Sequence, residues 1–133
     1  MHESPAAVHR RFVDEVVVGK RIELLDDLFM PDAAVEQGSL AALRAQMEAQ
    51  AAALEGTVEY VNEFVDGEWV VHRMVIVMTL TGEFMGFAPT GRTARFYEVE
   101  AARVVDGRIV EMWSAVDRGD VFRQLGLPVP SGD

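Results

Sequence analysis

The chain contains no cysteine. That excludes disulfides, thiolate metal sites and a cysteine nucleophile, so any covalent or acid/base chemistry falls to Asp, Glu, His, Ser, Tyr or Lys. Basic residues are scarce as well: 12 Lys and Arg stand against 22 Asp and Glu, a formal charge of −10, with the arginines scattered among acids. Such a surface repels phosphate backbones, and nucleic acid is not an expected partner. No apolar run approaches the roughly 20 residues needed to span a bilayer, and the opening MHESPAAVHRR has no signal-peptide h-region. A soluble, cytoplasmic protein with no membrane contact is the expectation. There is no Walker loop, no GxGxxG after a strand, no HExxH and no GxSxG, so nucleotide hydrolysis, dinucleotide binding, zinc proteolysis and serine hydrolysis lack their signatures. No cofactor and no metal are expected.

What is present fits one globular domain spanning residues 1–133, with 1–3 and 128–133 as frayed tails: 133 residues, 50% hydrophobic and 26% charged. Ser4 and Pro5 are an N-cap and a first-turn proline, and Val8, Phe12 and Val16 then fall on one helical face before Gly19. KRIELLDDLF reads as a second short helix ended by Pro31, AAVEQ as a brief strand, and Ser39 as the cap of a long third helix closed by Gly56. From Thr57 the texture is β: VEYVNEFV, EWVVHRMVIVMTLT, RTARFYEVEAARVV and RIVEMWSAVD read as an antiparallel meander. DVFRQLG is a last helix, with Asp117 as its N-cap. The class is α+β, helices packed against a curved sheet.

The two VDG turns, at 65–67 and 105–107, decide which side chains share a face, because one residue of loop length moves a whole strand to the opposite face. With three-residue loops, Glu98, Glu100 and Ala102 group with Val110, Met112 and Ser114, and Tyr60, Asn62 and Phe64 group with His72, Met74, Ile76 and Met78. One face then collects Tyr60, Asn62, His72, Met74, Met78, Glu98, Glu100, Met112 and Ser114: soft apolar walls with a few groups that ionise, the composition of a ligand cavity. The opposite face carries Tyr97, Val99 and Trp113, and an exposed sheet of that kind usually meets a second subunit, so a homodimer is expected.

The stretches TLTGEFMGFAPTGR and VDGRIVEMWSAVDRGDVFRQLG resemble the SnoaL-like polyketide cyclases of the nuclear-transport-factor-2-like superfamily. The resemblance covers nearly the whole chain and implies a cone-shaped α+β fold around a cavity, commonly oligomeric and usually encoded for natural-product assembly. In the aldol-type cyclases of that family the last strand usually reads E-H-W-D, with a His or Asp opposite. Here Met112 and Ser114 flank Trp113, and Glu100 is the opposing residue, so the family's acid/base set is largely replaced. Ser114 has a hydroxyl pKa too high to serve as acid or base unaided.

The candidate chemical groups are therefore Glu100 and Glu98, two apart on one strand, with Ser114 opposite. Phe12, Tyr60, Asn62, His72, Met74, Met78, Phe87 and Met112 are candidate contacts for an apolar, polyketide-like ligand. The expectation is a cofactor-free cyclase, leaning toward ring closure by shape and proximity, as in a pericyclic cycloaddition. The alternatives are acid/base chemistry through Glu100, as in an aldol-type cyclase or an epoxide hydrolase or isomerase, and a binding module without catalysis.

Overall fold

A computed structural model describes residues 2–130. Helix α1 (Pro5–Arg11) is capped by the Ser4 hydroxyl, which accepts from the Ala7 amide, and it continues without a break as a π-helical segment, Phe12–Val18. The wider turn keeps Val8, Phe12, Val13 and Val16 buried through the transition. Gly19 ends it at an ordinary φ of −76°. The residue is needed for space: a Cβ there would sit 2.7 Å from the Glu15 carbonyl oxygen.

A 3-10 turn (Ile22–Leu24) leads into α2 (Leu25–Leu28), followed by β1 (Phe29–Val35), α3 (Leu40–Ala53), β2 (Leu54–Asp66), β3 (Trp69–Leu80), β4 (Thr93–Val105), β5 (Arg108–Val116) and α4 (Arg118–Leu125). The five strands form one sheet in the order β1-β5-β4-β3-β2, antiparallel except for β1 on β5. Two boundaries differ from the sequence reading. Pro31 lies inside β1 instead of ending a helix, which an edge strand permits because proline's missing N–H deprives no neighbour. Gly56 lies inside β2, not at a helix end; a Cβ there would meet the Val77 carbonyl oxygen at 2.7 Å. The Ser39 cap is as expected, its hydroxyl accepting from the Ala42 amide, and so is Asp117, which accepts from the Asp120 amide.

The hairpin turns have two residues, not three. Val105 pairs with Arg108 around Asp106 and Gly107, both with positive φ (51° and 78°), a type I′ geometry. The facing inferred from a three-residue loop is nonetheless observed, because the register shifts by one at Val110: Glu100 stands opposite Ser114 and Ala102 opposite Met112. The β2–β3 hairpin turns at Gly67 and Glu68, and its register shifts at Val61. Beyond that bulge Tyr60 opposes Met74, as expected. Before it, the expectation fails: Asn62 opposes Arg73 and Phe64 opposes Val71, both on the outer side, and Glu63 takes the inner position opposite His72.

The main core lies between the helices and the inner sheet face, built on Phe12, Leu25, Leu28, Phe29, Met74 and Ile109, each at most 1% exposed. Burial of each such side chain contributes roughly 1.5–3 kcal/mol. A second, smaller cluster under α4 joins Leu54, Leu80, Ala94, Leu125 and Leu127. Leu127, immediately before the expected loose tail, is buried, and at the other end His2 lies near Asp106 and Glu3 accepts from Arg11; residues 1 and 131–133 of those tails lie outside the described residues. Tyr97, Val99 and Trp113 are exposed on the outer sheet face. No helix among the described residues is long and apolar enough to cross a membrane.

Candidate active site

Four directly opposed residues cross the inner face of the sheet in one row: Glu63 on β2, His72 on β3, Glu100 on β4 and Ser114 on β5. Opposed residues share a face, so all four side chains project toward the helices. The next row is Tyr60, Met74, Glu98 and Val116. Between the sheet, the π-helical segment, α3 and α4 lies a cavity of about 440 Å³, within the range of small-molecule sites. Its walls are mostly apolar, with Phe12, Leu43, Met47, Met74, Met78 and Met112 among them; Glu98, Glu100 and Ser114 are polar groups on its surface, with Gln37, Gln46, Gln50 and Arg118 elsewhere around it.

His9 closes the site from above. It is fully buried; its Nε2 is 2.7 Å from Glu100 Oε1 and its Nδ1 is 2.7 Å from His72 Nδ1. The two imidazoles meet edge to edge and nearly coplanar, their centroids 4.9 Å apart and their planes at 15°, and His72 Nε2 reaches Glu63 Oε1 at 2.7 Å. Arg10 donates to the same Glu63 oxygen from 2.9 Å. Alongside, the Tyr60 hydroxyl donates to Asp14 and the Arg10 guanidinium lies over the Tyr60 ring. Among the described residues no buried side-chain polar atom lacks a partner.

Burial governs the electrostatics. It lowers the His9 pKa to about 4 and also lowers His72, so both rings are neutral at neutral pH. Burial pushes the Glu98 carboxyl up to about 8, and the neighbouring Glu100 charge adds to the effect. Glu100 is pushed up to about 7 by burial, with a hydrogen bond from Glu98 pulling back and the charge of Glu36 adding. Glu63 is held below its ordinary range by its hydrogen bonds from His72 and Arg10. On the far side, Glu36, from the turn after β1, accepts from the Ser114 amide and lies 3.3 Å from the Ser114 hydroxyl.

Of the residues predicted to touch a ligand, Phe12, Met74, Met78 and Met112 line the cavity; Tyr60, Asn62, His72 and Phe87 do not. Tyr60 turns to Asp14. The register shift at Val61 turns Asn62 outward, where it accepts from Arg73. His72 is held edge to edge by His9 and packs in a T-shaped contact with Tyr60. Phe87 is 40% exposed, because the tight turn at Met85 and Gly86 sends Phe84 inward toward Phe122 and Phe87 outward. Sequence reasoning missed His9, Glu63 and Glu36. His9 had a signal: with Phe12, Val13 and Val16 it completes an i, i+3, i+4, i+7 stripe, a polar ring on a buried face. Glu63 had none without knowledge of the bulge. No group of three or more His, Cys, Asp or Glu among the described residues is arranged to hold a metal ion.

The family model of the SnoaL-like polyketide cyclases matches residues 7–125. The chain belongs to this family. A curated relative, the aklanonic acid methyl ester cyclase AcmA of Streptomyces galilaeus, is 30% identical over 98% of this chain and 95% of its own. Among solved structures, IdmH of Streptomyces antibioticus, a proposed polyketide cyclase, is 27% identical with a TM-score of 0.77 over 94% of this chain and 100% of its own. AclR of Streptomyces galilaeus, a proposed hydroxylase, is 26% identical with a TM-score of 0.78 over 93% of this chain and 97% of its own. Helices and a five-stranded mixed sheet enclose the site described above, in a fold shared with these structures.

Proposed function

We propose that this SnoaL-like protein is a cofactor-free cyclase that closes a ring in an apolar polyketide intermediate by acid/base chemistry at Glu100 and Glu98. The observation that carries the reading is the placement of two carboxyl groups on the wall of a mostly apolar cavity, one of them hydrogen-bonded to a buried histidine. The residues alone favoured shape over proton transfer, since Met112 and Ser114 replace the usual groups. The pair of raised carboxyls moves the weight to proton transfer.

Neighbouring carboxyls whose environments separate their proton affinities divide naturally into base and acid. Glu100, in its ionised form held by His9, takes a proton from the carbon beside a ketone. The resulting enolate carbon attacks a second carbonyl carbon of the same chain, forming the ring bond, while its C=O π electrons move to oxygen. Glu98, whose carboxyl its surroundings and the neighbouring Glu100 charge keep protonated, donates its proton to that oxygen. The proton on Glu100 then passes across to Glu98, and both carboxyls are restored. The methionine and phenylalanine walls hold the chain folded with the reacting carbons in contact, an entropic advantage of several kcal/mol. The outer face of Tyr97, Val99 and Trp113 serves as a homodimer contact in this reading.

The test is turnover of a linear poly-β-ketone by wild type and Glu100→Gln. General acid/base catalysis supplies about 100-fold or more, so the variant should lose at least that. The wild-type rate should follow a bell, rising through about pH 7 and falling beyond about pH 8. A flat profile with less than about tenfold loss in the variant would instead mean closure by shape alone.

A further inference from the structure

We propose that Glu100, His9, His72 and Glu63 form a proton-conducting chain that exchanges the proton of the cavity carboxyl with solvent at Glu63. The inference rests on the acid/base reading for its use in turnover, but the chain itself is a property of four side chains and is testable without substrate.

Three successive contacts of 2.7 Å connect the groups. Each needs one proton, and with both rings neutral only two orientations are consistent. In the first, Glu63 is a carboxylate accepting from His72 Nε2–H. His72 Nδ1 is then bare and accepts from His9 Nδ1–H, which leaves His9 Nε2 bare and accepting from a protonated Glu100. In the second, every proton has moved one step toward Glu63. Glu100 is a carboxylate accepting from His9 Nε2–H, His9 Nδ1 accepts from His72 Nδ1–H, and His72 Nε2 accepts from a protonated Glu63. The conversion moves three protons across three hydrogen bonds. Glu100 loses one and Glu63 gains one, while both imidazoles stay neutral and exchange tautomers. Glu63 then passes its proton to water, and the reverse sequence reloads Glu100.

The ends of the chain are asymmetric. Both histidine side chains are 0% exposed and Glu100 is 10% exposed, whereas Glu63 is 37% exposed and paired with Arg10. A substrate seated on the apolar walls would separate Glu98 and Glu100 from bulk water, yet leave Glu63 outside, beyond β3. The other charged groups around the chain are Arg10 and Asp14 on the first helix, Glu36 after β1 and Glu98 on β4.

The same asymmetry separates conduction from a fixed structural tie between α1 and the sheet. When Glu100 ionises, unchanged tautomers would hold a carboxylate against the bare Nε2 of His9 in a buried position, which is costly. Exchanging both tautomers moves that mismatch to Glu63, where water and Arg10 relieve it.

The experiment is long-range proton–nitrogen NMR of the imidazole nitrogens, with carboxyl-carbon shifts, on ligand-free protein from about pH 5 to about pH 9. At the acid end His9 should carry its proton on Nδ1 and His72 on Nε2. As the Glu100 carboxyl ionises, both should swap, each nitrogen moving by the full difference between its pyrrole and pyridine forms, with neither ring gaining charge. In Glu100→Gln, which has no proton to exchange, the tautomers should no longer change with pH. Fixed tautomers through the Glu100 transition, a doubly protonated ring, or a swap that persists in the Gln variant would each overturn the chain. Loss of turnover in Glu100→Gln alongside fixed wild-type tautomers removes the chain and leaves the cyclase reading. A wild-type swap with full turnover in Glu100→Gln keeps the chain and removes the cyclase role of Glu100.

Discussion

Because a buried and a half-buried carboxyl, Glu100 and Glu98, hold protons that the unfolded chain would release, stability should fall as the solution becomes alkaline. In the unfolded state Glu98 and Glu100 titrate near 4.5, and in the folded state near 8 and 7. Folding therefore binds extra protons above about pH 4.5, and the stability these groups contribute is fully present below that pH and lost as pH rises through the folded values. His9 acts oppositely: its folded value of about 4 lies below the unfolded 6.5, and His72 is shifted the same way, so both oppose the carboxyls below about pH 6.5 and drop out above it. Between pH 6.5 and 7 the folded protein holds about two excess protons, and between 7 and 8 about one. At 1.36 kcal/mol per proton per pH unit, that amounts to a loss of about 3 kcal/mol from pH 6.5 to pH 8. Such a loss is a large share of the roughly 5–15 kcal/mol that hold a domain together. Urea denaturation at fixed temperature across this range measures it directly, as a falling midpoint at constant slope. The Glu98→Gln/Glu100→Gln double variant should show a nearly flat profile. Wild-type stability that is constant or rising from pH 6.5 to pH 8 would refute the assignment of these carboxyls as proton holders.

Met74→Ala should lower stability by roughly 2–5 kcal/mol, since Met74 is 1% exposed, and should also lower turnover by enlarging the cavity so that the flexible chain samples unproductive folds; unchanged product formation in a destabilised variant would detach this wall from the chemistry. Trp113→Arg places a charge in the outer apolar face, and sedimentation should then give monomer or aggregate where wild type gives dimer. A wild-type protein that sediments as a stable monomer would dismiss the dimer.

Local sequence patterns were sufficient for the kinds of element and for their N-caps, though not for the helix ends expected at Pro31 and Gly56. Ser4, Ser39 and Asp117 accept from the amides that capping chemistry assigns them, and β-branched and aromatic runs became β2 to β5. Those features are settled within a few residues of chain, where hydrogen bonds and period are read directly. The alternation also placed Glu98, Glu100, Met112 and Ser114 on one face, although for a reason other than the one supposed: a two-residue turn and a bulge at Val110 together leave the parity that a three-residue loop would have left. The same pairing of errors did not cancel everywhere, because the bulge at Val61 lies farther from its turn and the residues between them, Asn62 to Asp66, exchanged faces.

Only the tertiary structure could assemble the site. His9 and Glu100 are 91 residues apart in the chain and His9 and His72 are 63 apart, and their contact depends on how the first helix lies across the sheet. That placement is decided by the burial of Val8, Phe12, Val13 and Val16 against strands drawn from the other end of the chain. No local pattern encodes it. The proton affinities follow from the same packing: a glutamate two residues from another is ordinary in sequence, and holds its proton to higher pH only when helices and strands withdraw the pair from water, Glu100 almost fully and Glu98 in part. The residues supplied the groups, and the desolvation that gives them their character comes from the whole fold.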